Sequence, residues 1–437
     1  MRRVLAALAL LATAVAAHAA TPALPVVRRV LPNGLTVIVR PDPAVGVMAA
    51  SLQVRAGSLF ETADTAGITH FLHRVMVRGT KRYNAVQLTE AIEDLGGSLD
   101  ASGDVEYSEV RGSALARNWE ALLGLIAEVA LRPTLPGEEV ERERRLIQSA
   151  LQTRRDRPFQ RAFDSVLQDL YGPHPYAWPS LGRRESLERI DQPALRAHYA
   201  SIYRPDRMVL AVSGHVPSDR VLRVAERLFR MPVPAGAPAA VDRGAPTPRA
   251  ERRVVEQPVQ QAQVLVGYLA PSLTDPDQAA MRVLGTVLGG GMSGRLFTEI
   301  RDRRGLAYSV GVVGLVTFRT GPSFFVTYLG TAPPNAEAAE TGVLGEIDRI
   351  RGEQVTEREL ARAKAYLLGN LAMDRRTNAR HAWYLAFFEV IGAGWDFPER
   401  FERAVEAVTA ADVARVARQY LTQPTVVVLQ PPKAGTR

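Results

Sequence analysis

The apolar positions change period several times along the first hundred residues. "LPNGLTVIVRPDP" opens on the turn dipeptide Asn33-Gly34 and runs on into β-branched residues, which predicts a strand. "GVMAASLQVRAGS" predicts a second strand. At Gly67 the period lengthens: Ile68, Phe71, Leu72 and Val75 fall on one side of a helix over 67–77. "NAVQLTEAIEDLGG" predicts another helix, opened by Asn84 and stopped by Gly96-Gly97. "VEYSEVRGSAL" alternates as a half-buried strand does, and long helices follow, including "PGEEVERERRLIQSALQTRR". "DRMVLAVSG" and "SDRVLRVAERLFR" then predict a strand and a helix.

The pattern lapses from Met231 to Arg252, a stretch rich in Pro, Ala and Gly that reads as a linker. Beyond it the pattern repeats. Glu359-Leu360 matches Glu139-Val140, and Arg362 and Lys364 match Arg142 and Arg144. "YLTQPTVVVLQ" echoes "YRPDRMVLAVS", from Tyr420 and Tyr203, so matched pairs lie 217 to 220 residues apart in unchanged order. This predicts an α+β protein of two homologous halves, residues 20–230 and 253–437. Each half should be a mixed β-sheet with helices packed mainly on one face.

Composition narrows the class. At 437 residues the chain is too long for one core, and 46% hydrophobic with 23% charged residues is ordinary for a globular protein. Lys and Arg number 54 against 46 Asp and Glu, a net charge of +8. The basic residues are dispersed among acids with no aromatic-rich basic run, so no nucleic-acid partner is expected. At the N-terminus, Arg2 and Arg3 precede an apolar segment from Val4 to Ala17, and Ala17-His18-Ala19 suits a cleavage site. Residues 1–19 therefore read as a signal peptide, and the chain as exported to the periplasm. No other stretch approaches ~20 apolar residues, so no stable membrane span is expected. There is no cysteine, which leaves Asp, Glu and His as the strong metal ligands and excludes disulfides and a thiol nucleophile.

The predicted helix at 67–77 carries the chemistry worth weighing. His70 and His73 lie three apart, with Arg74 next. Zinc-assisted peptide hydrolysis wants two His at i and i+4, a third ligand, and a Glu as general base on the metal-bound water. In the inverted signature H-x-x-E-H that Glu directly precedes the second His.

At this point the sequence resembles the pitrilysin/insulinase-type zinc peptidases, the inverzincins. The resemblance covers nearly the whole mature chain, in "NGLTVIVRP", "AGITHFLHRVMVRGT", "VERERRLIQSAL" and "SGRLFTEIRDRRGLAYSV". It implies that His70 stands at the first ligand position, His73 at the general base, Arg74 at the second ligand, and Ala150 at the third, with Glu143 matching a supporting acid. Three of four essential groups are replaced, so no catalytic residue and no metal are expected in this motif. The same resemblance makes Arg301 and Tyr308 substrate-binding residues, the Tyr reaching the scissile carbonyl as it gains charge and the Arg holding substrate or positioning the Tyr. It also likens "SLDASGDVEY" to the strand beside the peptide cleft, where peptide adds as an extra strand. The implied function is the non-zinc subunit of a heterodimeric metallopeptidase. Zinc would sit in a homologous partner with an intact motif, and unstructured peptide would be the substrate. Two alternatives stand beside it: an active metalloendopeptidase with unusual ligands, and a non-catalytic binding or assembly protein that keeps only the fold.

Overall fold

The computed structural model describes residues 25–232, 244–247, 249–314 and 319–432. The signal peptide expected at 1–19 and most of the linker lie outside them. Glu251 and Arg252, read as the end of the linker, belong to a strand.

The first half contains strands Val27–Val30 (β1), Thr36–Pro41 (β2), Val47–Val54 (β3), Ser98–Gly103 (β4), Ser108–Leu115 (β5) and Met208–Gly214 (β6). They form one sheet in the order β1-β2-β6-β3-β5-β4. Its helices are Ile68–Met76 (α1), Ala85–Glu93 (α2), Trp119–Leu131 (α3), Gly137–Asp156 (α4), Pro158–Tyr171 (α5), Arg184–Arg189 (α6), Gln192–Ile202 (α7) and Ser218–Leu228 (α8). The second half contains Glu251–Glu256 (β7), Ala262–Ala270 (β8), Ser309–Gly314 (β9), Ser323–Thr331 (β10) and Thr425–Gln430 (β11), ordered β7-β11-β8-β10-β9. Its helices are Gln278–Gly289 (α9), Ala336–Gly352 (α10), Glu357–Asp374 (α11), Asn378–Val390 (α12), Phe397–Ala407 (α13) and Ala410–Tyr420 (α14).

Apart from β1, which has no counterpart, the first sheet has the topology of the second. β2 runs parallel to β6, as β7 does to β11, and every other pairing is antiparallel in both. Corresponding strands start 215 residues apart (36 and 251, 47 and 262, 108 and 323), 211 for the edge pair (98 and 309) and 217 for the last pair (208 and 425). The duplication read from the sequence is thus a duplication of fold.

Local sequence explains the elements. Gly34 takes φ +96° in the turn after Asn33, whose side-chain oxygen accepts from Leu35 N at 3.2 Å. Asn84 caps α2 in a reciprocal box with Gln87, at 2.9 and 3.0 Å. Side chains alternate across a strand, so each sheet has two faces to cover. In the first sheet Val37, Val39, Leu52 and Val212 pack on helices of their own half, through residues such as Phe71, Leu122 and Val221. In the second, Val264, Val266 and Val428 do the same with Met281, Leu284 and Ile347.

The opposite faces are covered by exchange. Ile38, Val209 and Ala211 of the first sheet receive Leu385, Ala386 and Phe388 of α12. Leu265, Val326 and Val427 of the second receive Ala162, Val166 and Leu170 of α5. Each half's own helices do lie mainly on one face; the other face is closed by one helix borrowed from its counterpart. Among the described residues no helix is long and apolar enough to cross a membrane.

Candidate functional site

The residues of interest lie on α1, which runs between α4 and α7 beside the edge strand β4. Its N-terminus is built without a local side-chain cap, because Gly67 occupies that place with φ +91°. A Cβ there would meet Gly182 at 2.7 Å, so glycine answers both the backbone angle and the close approach. Glu61, 2% exposed, supplies the missing acceptor: its carboxylate takes the N–H groups of Gly67 at 2.6 Å and Thr69 at 2.9 Å. Burial raises the Glu61 pKa, while the two backbone donors oppose that rise.

His73 is fully buried and both its nitrogens are engaged. Nδ1 lies 2.7 Å from the Thr69 carbonyl, which can only accept, so Nδ1 carries the proton. Nε2 is then an acceptor, and the Tyr203 hydroxyl donates to it at 2.9 Å. Burial keeps the imidazole neutral and pushes its pKa down to about 4. His73 has thus become a packing residue tied to α7 and the loop after it. His198, also on α7, places Nε2 3.0 Å from Thr69 Oγ1.

His70, one turn earlier, is partly exposed and lies against the backbone of Gly103 at the end of β4. Burial lowers its pKa to about 4, and the Arg74 cation adds to that. Arg74 itself turns to α4. Its Nε donates to Glu143 Oε2 at 3.1 Å, while Arg78 Nε donates to Oε1 at 2.6 Å. Glu143 is wholly buried and the two Arg side chains are about a third exposed, at 33% and 29%. One carboxylate therefore divides its two oxygens between two guanidinium groups. Ala150 sits two turns further along α4, exposed and without a donor atom.

These positions do not fit a zinc ion. His73 has no free nitrogen, Arg74 places a cation where a ligand is needed, and Ala150 offers nothing to coordinate. Among the described residues no group of three or more His, Asp or Glu could hold a metal ion.

Arg301 and Tyr308 are brought together on the second half. Phe297–Arg303 winds as a π-helical turn, a form often found at functional positions. It sets the Arg301 guanidinium 4.6 Å from the Phe297 ring centre and 5.9 Å from that of Tyr308. The Tyr308 backbone is fixed by a 3.0 Å bond to the Gly330 carbonyl, yet its side chain is 75% exposed. Among the described residues, no hydrogen bond, ion pair or ring contact joins this pair to His70, Arg74 or Glu143. The chain holds two separate clusters: an internally paired polar cluster on α1 and α4, and an exposed Arg/Tyr pair.

Residues 36–183 match the family described as insulinase (peptidase family M16), and residues 189–367 match the peptidase M16 inactive domain. An uncharacterized zinc protease of Mycobacterium leprae is 30% identical over 407 residues, covering 91% of this chain and 90% of its own. The chain belongs to the M16 peptidase family. An uncharacterized zinc protease of Streptomyces coelicolor is 28% identical over 416 residues, 93% of this chain and 90% of its own. Among solved structures, a protease from Helicobacter pylori has the same fold as this chain, with a TM-score of 0.87 at 22% identity, over 93% of this chain and all of the other. A Pseudomonas fluorescens structure described as a peptidase M16 inactive domain reaches 0.86 at 23%, over 94% and 99%. The inactive-domain match begins after α1 and α4, so its name does not bear on the altered M16 motif.

Sequence reasoning placed His70, His73, Arg74, Glu143 and Ala150 on one helix pair, and the Arg74–Glu143 bond is found there. It missed Glu61, Arg78, Tyr203 and His198. The Tyr203 partnership spans 130 residues and has no local signature. Arg78 was within reach, since it lies one turn after Arg74 on the same side of the chain.

Proposed function

We propose that this chain is the zinc-free subunit of an exported, heterodimeric M16 peptidase. The observation that carries the reading is the contrast within one molecule. The metal-site positions are filled and internally paired, while the Arg301–Tyr308 pair is held in place with an exposed phenol. A homologous partner with an intact H-x-x-E-H motif would supply the metal and the activated water. This chain would supply half of the peptide chamber and the Tyr308 hydroxyl, a donor to the carbonyl oxygen of the scissile bond as charge develops on it. Arg301, stacked between Phe297 and Tyr308, would orient the phenol and attract substrate carbonyls. The edge strand β4 supports peptide binding, since it has a sheet partner on one side only and could add a peptide strand on the other.

The test is reconstitution with a zinc-bearing homologue and measurement of peptide cleavage once assembly has been verified. Tyr308→Phe should lower kcat by roughly 10²–10³, the usual consequence of removing one oxyanion donor. Arg301→Ala should impair turnover as well, and His70→Ala should leave it nearly unchanged. Full activity from the Tyr308→Phe and Arg301→Ala pairs would favour the assembly role. One tightly held zinc in the isolated chain, with hydrolysis of its own, would favour the active-peptidase reading.

A further inference from the structure

A depression of about 350 Å³ lies where the first half meets the second sheet, on a different face of α4 from the one that carries Glu143. Gln148, Leu151, Gln152 and Arg155 recur at helical spacing along that face and form one wall. The other walls are α5, the segment from Ala177 to Glu185, and Arg253 and Val255 of β7.

Its charge is one-sided. Six arginines line it against two carboxylates, Asp164 and Glu185. Part of this charge is answered within the chain. Asp164 accepts from Arg154 on both oxygens, at 2.8 and 2.6 Å, and Asp169 holds Arg253. Arg155, Arg161, Arg183 and Arg184 make no ion pair among the described residues, and Glu185 is exposed. Earlier on α4 the pattern is the opposite: Arg142 pairs with Glu139 and Arg144 with Glu141. Guanidinium groups gathered around a hollow raise its potential, because the low-dielectric walls focus their fields into it. All four free cations can be reached from solvent: Arg155, Arg161 and Arg184 are exposed and Arg183 is partly so. Arg183 is also held in place, with its guanidinium 4.6 Å from the Trp178 ring centre.

The lining is not polar throughout. Leu151 and Val255, both partly exposed, face each other's elements across the depression, one from α4 and one from β7. A bare inorganic anion would leave that apolar surface wet. We infer that the depression binds an acidic peptide segment, its carboxylates taken by the free arginines and an apolar side chain between them resting on Leu151 and Val255. The planar guanidinium fork matches a carboxylate, which supplies the polar half of the recognition. Sites for small ligands run from roughly 300 to 1,000 Å³, so this volume admits a few residues and not a folded domain. The inference uses neither the Arg301–Tyr308 pair nor a zinc-bearing partner.

The experiment is calorimetric titration of the isolated chain with three probes: acetyl-Glu-Phe-Glu-amide, the same peptide with Gln in place of Glu, and tripolyphosphate. The Glu peptide should bind one to one with a Kd below about 1 mM, and more weakly as sodium chloride is raised. The Gln peptide should not bind measurably, and tripolyphosphate should bind less tightly than the Glu peptide. Arg155→Glu combined with Arg184→Glu should weaken the Glu peptide about tenfold or more. Arg223→Glu combined with Arg230→Glu changes the net charge by the same amount, at exposed arginines outside the depression, and should leave the affinity nearly unchanged. Both pairs are on the surface, and circular dichroism should stay native in each. Absence of wild-type binding, equal affinity for the Gln peptide, tighter binding of tripolyphosphate, or equal losses in the two double variants would each overturn the inference. Because the isolated chain is titrated, failure here is distinguishable from failure of the heterodimer reading.

Discussion

The same helix pair occurs in both halves and is filled differently. α1 packs on α4 in the first half, and α9 packs on α11 in the second. The long helices begin 220 residues apart, at 137 and 357, so Glu143 corresponds to Ala363 and Ile147 to Leu367. In the second half Ala363 and Leu367 join an apolar cluster with Leu284 and Leu288. In the first half the same place holds a wholly buried carboxylate between two arginines. The fold evidently does not need charge there, since the second copy closes without it. Burying ions costs solvation that their mutual attraction only partly returns, so a packed apolar seam serves stability at least as well. The charged seam is therefore not what the fold requires to hold these two helices together.

The largest expected effect comes from imposing the first half's chemistry on the second. Ala363→Glu would bury a carboxylate among the apolar side chains of that seam, and should destabilise the protein by about 4 kcal/mol in urea unfolding. A tolerated glutamate would mean that the second seam is wetter than its packing implies, and the comparison would break. Next comes Glu143→Ala, which leaves Arg74 and Arg78 unpaired. Because both cations reach solvent, the cost should be nearer 2–3 kcal/mol than the ~3–5 of a fully enclosed pair. Adding Arg74→Leu and Arg78→Leu should recover all but about 1 kcal/mol, as replacing a whole ion cluster by apolar groups often does. If the triple variant remained as weak as Glu143→Ala, the seam would be structural after all.

Acid should separate the halves more gently. The imidazoles of His70, His73 and His198 cluster around α1, and His381 sits on α12, which covers the first sheet; burial lowers the pKa of each to about 4. Such groups are neutral in the folded chain and titrate near 6.5 when unfolded. The unfolded chain then binds more protons below that value, so stability is full above pH 6.5 and falls as pH drops toward 4. For His73 alone the loss by pH 5 is on the order of 2 kcal/mol. Hydrogen exchange at pH 5 should show amides of the first sheet opening before those of the second, and His73→Gln should narrow the gap. Equal loosening of both sheets would show that the histidines do not set this order.

How much of this was legible follows from the range of each contact. Strands, helices and the duplication declared themselves because period and order are local or repeat as blocks: α1 falls within a residue of where the 3.6 period puts it, and β3 lies inside the segment read as a strand, which ran on past it to Ser58. The Arg74–Glu143 bond was reachable because the family resemblance aligned two helices 69 residues apart. The exchange of α5 and α12 was not. "NARHAWYLAFFEV" announces a helix apolar on more than one side, yet nothing in it names the sheet it will cover. Glu61 was equally hidden, because a carboxylate reaching the helix start from a preceding loop leaves no capping motif around Gly67.

The borrowed helices also set a timetable. On the ribosome, the strands of the first sheet are all present once residue 214 has emerged, but one face, with Ile38, Val209 and Ala211, waits for residues 378–390. Nearly the whole polypeptide must be made before that face is shielded from water. The nascent chain therefore carries a sticky, half-finished sheet through most of its synthesis, and its demand for chaperone cover should end late and abruptly, when α12 arrives.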